Sequence, residues 1–373
     1  MRLVLLSDTF YPNVGGAELV VHQLACTWAQ QGHTVTVLNC TGDQSVTPGS
    51  PYRVVRLPFL KGSTRYGFHR TPFLQYSLLH LQLMLDALQP ELVSAHFAYP
   101  AGIWMKALRR SYPYLVTLHG KDITPFEWGY RQLYGNIDGL LREALTGARG
   151  VIALSSYIRR ELETLGVPSA RIHEIPNGVQ LERFSTPVEG SLRARLGLAE
   201  QTPLVLSVGR HHPAKAYEVG LVAFEQLSRN CADARWLVVG KGNESLGAQA
   251  QARGLAGKVI TLEHLGGADL VRAYQQADVL FSCSKSEVLS LVLLEGMAAG
   301  CAVVATRISG AEDVVLEDQT GYLVEVGQTT QMAARLEQVL KEPGRRKRLS
   351  AGARQRIQAY GWDQIARRYL ELA

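Results

Sequence analysis

Apolar residues in this chain come in short unbroken runs, separated by stretches in which they recur every three or four positions. Residues 2–6 form the first run; after a glycine-containing loop, Val21, Leu24, Ala25 and Trp28 fall at helical spacing until Gly32 ends the pattern, and residues 35–38 form the next run. An unbroken apolar run predicts a strand covered on both faces, and the longer period predicts a helix with one buried side. The rhythm repeats with strands predicted near 92–94, 115–117 and 151–154. After Pro176-Asn177-Gly178 it lapses through Pro187, Gly190 and Pro203, apart from a short basic helix around 192–196, which predicts a linker. Strands then resume at 204–208, 236–239, 259–261, 279–281 and 302–305. Strands alternating with helices predict the α/β class, here two Rossmann-like, doubly wound parallel-sheet domains.

Composition agrees with two domains, since 373 residues exceed what one core usually organises and 46% of them are apolar. The formal charge of +6 is a small excess over that length and argues only weakly for anionic partners. Its placement is more informative. No acidic residue occurs from Gln44 to Leu85, where Arg53, Arg56, Lys61, Arg65 and Arg70 alternate with Tyr52, Phe59, Tyr66, Phe68, Phe73 and Tyr76. That stretch reads either as contact with an anionic lipid-linked acceptor or membrane surface, or as a solvated basic loop before a packed helix at Leu78, Leu81 and Leu85. It is one local segment and matches no nucleic-acid-binding module, so no nucleic-acid partner is expected. Arg345-Arg346-Lys347-Arg348 reads as a solvated helical face.

Five cysteines without a Cys-x-x-Cys pair read as thiols in a reducing cytosol. The opening apolar run is too short for a secretion leader, and the longest one, residues 288–306, carries Glu295 and two glycines. A cytoplasmic protein without a membrane span is expected.

In doubly wound folds, ligands bind beyond the carboxyl ends of the strands. Gly15-Gly16 lies between the first strand and its helix, where backbone amides can approach a phosphate; an ordinary turn is the other reading. Arg210 and Lys215 follow the strand ending at Val208, and two cations five residues apart can grip a diphosphate or form a solvated surface pair. Glu287 and Glu295 flank seven residues that run from a loop into a helix. Glu295, set among leucines, needs a partner to offset desolvation: ribose hydroxyls, or a structural salt bridge. Glu287 is otherwise a helix cap. His119, in His119-Gly120-Lys121-Asp122, and His96 both end predicted strands, where they can bind hydroxyls or move protons; of the two, His119 is the stronger candidate. There is no Asp-x-Asp, no metal-ligand spacing and no Gly-x-Ser-x-Gly, and Gly240-Lys241-Gly242 lacks the rest of a dinucleotide fingerprint.

In their order along nearly the whole chain these motifs resemble the retaining glycosyltransferases of family four, which have the two-domain GT-B fold. The likeness rests on Gly15-Gly16, His119-Gly120-Lys121-Asp122, Pro176-Asn177-Gly178-Val179, Gly209-Arg210 with Lys215, and Glu287 with Glu295. The resemblance implies an acceptor-binding domain over residues 1–180, rejoined by a crossover helix at 358–373 around Trp362, Ile365, Ala366 and Tyr369. A donor-binding domain would span 181–357. It implies that Arg210 and Lys215 hold the donor diphosphate, Glu295 the ribose and Glu287 the transferred sugar, that amides near Ser290 and Leu291 touch phosphate, and that His119 faces the donor sugar. Gly15, Gly16, Gly240, Gly242 and Leu265 join the donor side, and His96, Asp122 and Arg65 the acceptor side. Two departures stand out: Ala216 where the family has glycine after the lysine, and Val288-Leu289-Ser290 where it has Gly-Phe-Gly. They imply a reshaped sugar pocket.

The expected activity is transfer of a hexose-type sugar from a nucleotide diphosphate sugar to a saccharide or lipid-linked acceptor, in cell-surface polysaccharide or glycolipid synthesis. No cofactor or metal is expected beyond the nucleotide sugar as co-substrate, and no protein nucleophile: the departing diphosphate would help deprotonate the incoming hydroxyl on the same face, in a cleft closed between the domains. A nucleotide-sugar epimerase or phosphorylase, or a binding protein without turnover, are the alternatives on the same architecture.

Overall fold

The structure is a computed structural model that describes residues 1–12, 15–57, 72–120 and 137–373. Arg65 and Asp122 fall outside these residues, as does most of the basic, aromatic stretch. The chain divides into two compact units, Met1–Asn177 with Trp362–Ala373, and Gly178–Gly361.

Among the described residues the first unit holds β1 (Arg2–Ser7), β2 (Thr34–Asn39), β3 (Arg53–Arg56), β4 (Leu92–His96), β5 (Tyr114–Thr117), β6 (Gly150–Ala153) and β7 (Ile172–Glu174). They form one parallel sheet in the order β3-β2-β1-β4-β5-β6-β7. The central strands are buried along nearly their whole length, as unbroken apolar runs covered by helices must be. Order reverses between β1 and β4, whose ends meet where Ser7 pairs with His96. The helix Trp362–Leu370 belongs to this unit. Its Ile365, Ala366 and Tyr369 are buried, Trp28 Nε1 donates to the Ala366 carbonyl at 3.1 Å, and Thr117 Oγ1 donates to the Tyr369 hydroxyl at 3.3 Å.

The second unit holds β8 (Leu204–Val208), β9 (Arg235–Val239), β10 (Val259–Leu262), β11 (Val279–Ser282), β12 (Ala302–Thr306) and β13 (Gly321–Val324), parallel in the order β10-β9-β8-β11-β12-β13. Its core gathers Val205, Leu221, Phe224, Trp236 and Phe281. The buried indole of Trp236 donates to Ser207 Oγ at 2.9 Å, and that hydroxyl donates to the Phe281 carbonyl at 2.6 Å, so polar atoms inside the core pair with each other. Order reverses here between β8 and β11, so the loops after these two strands border the crevice that doubly wound sheets offer a ligand.

Three short strands escape the periodicity, namely β3, β7 and β13, each at a sheet edge. The basic run at 345–348 is also more engaged than a solvated face: Arg346 pairs with Asp278 at 2.8 Å and Arg348 with Asp318 at 2.8 Å. All five cysteines are free, and burial pushes the Cys283 and Cys301 thiols up to about 12, which leaves them protonated and unreactive.

Candidate active site

At the switch point of the second sheet, the loops after β8 and β9 are laced together. Gly209 and Gly240 press backbone to backbone: a Cβ on Gly240 would stand 2.0 Å from the Gly209 carbonyl oxygen. The Asn243 amide donates to both glycine carbonyls, at 3.1 and 2.7 Å, and the Tyr217 hydroxyl adds a 3.0 Å bond to Gly209. Gly242 packs against His211, and Leu265 lies half-buried in the loop after β10. This rigid floor carries Arg210, which is exposed and, among the described residues, has no hydrogen-bond or ion-pair partner. A guanidinium held out from such a support is available to an anion.

Lys215 closes the turn Pro213–Lys215, which His212 caps by accepting from the Ala214 amide at 3.2 Å. The next residue, Ala216, sits at φ 50°, ψ 40°, the left-handed region that glycine tolerates and alanine resists. The loop after β11 docks on this turn through Lys285 N to the Ala214 carbonyl at 2.7 Å and Cys283 Sγ to the Lys215 carbonyl at 3.2 Å. The docking brings Lys215 Nζ to 2.7 Å from Glu287 Oε1, an oxygen that also accepts from Ser284 Oγ at 2.6 Å. Burial alone would push the Glu287 carboxyl up. The Lys215 ammonium, with hydrogen bonds from Lys215, Ser284 and Ser290, outweighs it and holds the carboxyl below its usual range. Glu287 is thus a charged partner of Lys215 and not a solvated cap. Behind it, Gly310 lets the chain approach within van der Waals reach, since a Cβ there would lie 2.9 Å from the Glu287 and Val288 carbonyls.

From Ser290 the chain enters the helix Leu291–Ala299, whose first turn carries no side-chain cap. Uncapped amides at a helix start, with the helix dipole behind them, favour an anion. One turn on, Glu295 accepts from the buried Tyr274 hydroxyl at 2.7 Å. Its partner is therefore a hydroxyl, and among the described residues it makes no salt bridge. Burial raises its carboxyl, against the Tyr274 bond and the nearby Arg183 charge.

In the first unit, Gly15 caps the helix Gly16–Gln30 in extended conformation, and the Glu18 carboxylate folds back on it. Glu18 Oε1 accepts from Thr9 Oγ1 at 2.6 Å, and Oε2 stands 2.6 Å from where a Gly15 Cβ would be. His96 and His119, at the ends of β4 and just past β5, are hydrogen-bonded ring to ring, Nδ1 to Nε2, at 3.0 Å. His96 is fully buried, and its Nε2 meets Ser94 Oγ at 3.3 Å. Burial pushes His119 down to about 3 and His96 well below its ordinary value, so both are neutral imidazoles at physiological pH. Setting His96 aside at the sequence level overlooked this bond. Among the described residues, no group of three or more His, Cys, Asp or Glu could hold a metal ion.

Residues 14–183 match the family described as Glycosyltransferase Family 4, and residues 189–356 match Glycosyl transferases group 1. The D-inositol 3-phosphate glycosyltransferase of Xylanimonas cellulosilytica is 32% identical over 289 residues, covering 72% of this chain and 68% of that one. This chain is a family-four glycosyltransferase. It is a retaining enzyme that takes hexose from a nucleotide sugar. The family-four transferase is also similar, at 29% identity over 98% of its own length and 94% of the relative's, to the phosphatidyl-myo-inositol mannosyltransferase of Mycobacterium tuberculosis. The solved structure of HepE from Anabaena in complex with UDP-glucose superposes with a TM-score of 0.76 at 20% identity, covering 99% of this chain and 98% of that one, which makes the fold GT-B.

The transferase thus brings Arg210, Lys215, Glu287, Ser290 and Leu291 to the switch point of its second sheet, with Gly240 and Gly242 in the supporting loops. It places His96 and His119 together at the rim of the first. Sequence reasoning missed Ser94, Ser284, Asn243 and Tyr274. Each is an ordinary polar residue, and no local spacing marks the group it touches.

Proposed function

We propose that the second unit is the donor-binding domain, residues 181–357, and that Arg210 and Lys215 neutralise the diphosphate of the nucleotide sugar. The uncapped amides of Ser290 and Leu291 add to that charge stabilisation, each well-placed donor contributing about 3 kcal/mol to a developing oxyanion. Glu287, steadied by Lys215 and Ser284, accepts hydroxyls of the transferred sugar, and Glu295 accepts those of the ribose. From the first unit, residues 1–180 with 358–373, His119 is assigned a hydroxyl of the same sugar. The single observation that carries this reading is the 2.7 Å Lys215–Glu287 pair at the switch point, where Arg210 has no hydrogen-bond or ion-pair partner among the described residues. Cation and anion stand side by side there, as a sugar joined to a diphosphate requires.

Retention then follows without a protein nucleophile. The bond from the anomeric carbon to the diphosphate oxygen lengthens as its charge passes to Arg210 and Lys215. The departing oxygen takes the proton of the acceptor hydroxyl, which attacks from the same face. Two fixed cations supply the neutralisation that a divalent ion would otherwise give, so transfer proceeds without added metal. A UDP-sugar is the first donor to try, because UDP-glucose is bound by HepE. The acceptor is a saccharide or a lipid-linked polyol of glycolipid or polysaccharide synthesis, a reading supported by the mannosyltransferase of phosphatidyl-myo-inositol among the relatives.

A peripheral membrane contact fits one surface. On the helix Pro72–Leu88, Tyr76, Leu79 and Leu83 are 55%, 49% and 59% exposed and lie along one face, beside a segment free of acidic residues. Among the described residues, no helix is long and apolar enough to cross a membrane.

Calorimetric titration with UDP, GDP, ADP and their common sugars, on wild type and Arg210→Ala without added metal, tests the donor assignment. Selective binding that weakens at least tenfold in the variant is expected from the loss of one charge-assisted contact. Equal binding by both proteins would remove Arg210 from the site.

A further inference from the structure

An ionised carboxylate only accepts hydrogen bonds, and its two oxygens offer about four lone-pair positions, two on each. The positions already filled by the protein set how many hydroxyls of a ligand it can still take. Glu287 is well occupied before any ligand arrives. Its Oε1 accepts from Lys215 Nζ at 2.7 Å and from Ser284 Oγ at 2.6 Å, which uses both positions of that oxygen. Ser284 is buried, and its hydroxyl oxygen in turn accepts from Ser282 Oγ at 3.5 Å, so the Ser284 proton is committed to the carboxylate.

A third donor comes from the residue that opens the next helix. Ser290 precedes Leu291–Ala299, yet its side chain caps no amide there. It is 3% exposed, and a buried hydroxyl needs a partner. That partner is the Glu287 carboxylate. With Oε1 full, the Ser290 bond falls on Oε2, and among the described residues no further donor reaches either oxygen. One position remains, on Oε2. The carboxylate is not free to turn and offer more, because Lys215 and Ser284 grip it from the loops after β8 and β11. Behind it, Ser309 Oγ donates to the Glu287 carbonyl at 3.1 Å and steadies the backbone.

We infer that Ser290 is a specificity-determining residue: by filling half of Oε2 it leaves Glu287 able to accept one hydroxyl of the transferred sugar and unable to bridge a vicinal pair. Ser284 is the positioning residue that closes Oε1. The inference rests on the assignment of Glu287 to the sugar and narrows it to a single hydroxyl. A carboxylate holds two neighbouring hydroxyls by giving each a different oxygen, and here one oxygen is shut. The donor sugar is therefore read by Glu287 at one carbon only. The adjacent carbon is free, as far as Glu287 is concerned, to carry hydrogen or an amide in place of hydroxyl. The device belongs to this chain, since Ser290 stands where the family has glycine, which brings no hydroxyl.

Calorimetric Kd values of the full chain for UDP-glucose and its mono-deoxy analogues, one for each sugar hydroxyl, count the contacts. Combined with Glu287→Ala they form a cycle that isolates the hydroxyls Glu287 reads. In wild type, deleting one hydroxyl should weaken binding roughly ten- to hundredfold, the scale of a bond to a charged group, and that loss should vanish in Glu287→Ala. Ser290→Gly and Ser290→Ala should each make a second, adjacent hydroxyl matter by roughly five- to tenfold. Two variants are used so that a change in backbone freedom at glycine is not mistaken for the lost hydroxyl. Two hydroxyls coupled to Glu287 in wild type, or the same deoxy profile in wild type and both Ser290 variants, would overturn the inference. Carbon NMR of carboxyl-labelled glutamate tests the serine bond without a sugar. The Glu287 carboxyl should titrate higher in Ser290→Ala than in wild type, because a donor to its charged form is gone. An unchanged titration would remove that bond. If the titration moves as expected while no hydroxyl couples to Glu287, the serine bond stands and the assignment of Glu287 to the sugar falls.

Discussion

The Lys215 ammonium lies 2.7 Å from Oε1 of Glu287, joining the loops that follow the two strands at the switch point of the second sheet. About a fifth of each side chain meets solvent, 21% and 16%, so the pair is largely desolvated. Lys215→Met should strand the carboxylate and destabilise the fold by roughly 2 kcal/mol, below the cost of a fully buried charge. Adding Glu287→Leu should return most of that loss, while donor binding stays abolished. Urea midpoints of the single and double variants check this, and equal midpoints would count against it. Because the Glu287 carboxyl is held below its usual range, its stabilisation is complete above the unfolded value and lost as pH falls through the folded one. Wild type should therefore lose stability in acid more steeply than the double variant.

Glu295 works the other way. Burial raises its carboxyl, so the fold binds that proton more tightly than the unfolded chain, and stability declines as pH rises through the folded value. Glu295→Gln should thus stabilise the free protein at neutral pH by about 0.5–1 kcal/mol while weakening nucleotide binding. Thermal melts with and without nucleoside diphosphate read both effects. A variant less stable than wild type at neutral pH would contradict the argument.

Ala216 at φ 50° carries a strain that its missing family glycine would not. The left-handed penalty is about 1–2 kcal/mol, partly offset by the extra freedom glycine brings to the unfolded chain, so Ala216→Gly should stabilise by roughly 0.5–1 kcal/mol. A lowered melting temperature would show that the alanine methyl contributes packing worth more than the strain.

Gly240 and Gly257 both have positive φ, but a side chain would collide only at Gly240, where a Cβ would stand 2.0 Å from the Gly209 carbonyl oxygen; at Gly257 it would meet nothing within 4 Å. Gly257→Ala should cost about 1 kcal/mol, the backbone penalty alone. Gly240→Ala should cost more than ~3 kcal/mol and weaken nucleotide binding, because it pries apart the floor beneath Arg210. Chemical denaturation of the two variants makes the comparison, and equal costs would mean that the floor can yield.

The architecture was legible because parallel strands buried on both faces leave unbroken apolar runs, and most of the strands announce themselves this way. β3, β7 and β13 do not: they are three or four residues long, lie at sheet edges, and include Arg53, His173 and Gly321 among their residues. The chemistry was legible where it is local. Arg210, Lys215, Glu287 and Glu295 fall after strand ends or on the helix that follows, and strand ends can be found from periodicity. What supports them was not legible. Tyr274 meets Glu295 across 21 positions, Asn243 meets Gly209 across 34, and neither pairing has any trace in spacing.

The first unit is built from both ends of the chain. Trp28 gives its indole hydrogen to a carbonyl at residue 366, and the Tyr369 hydroxyl receives one from Thr117. During synthesis, Trp28 and Thr117 must wait for these partners until everything through the second unit has left the ribosome. The second unit, continuous from Gly178 to Gly361, has no such wait and is expected to be the first to acquire protease resistance on a stalled nascent chain.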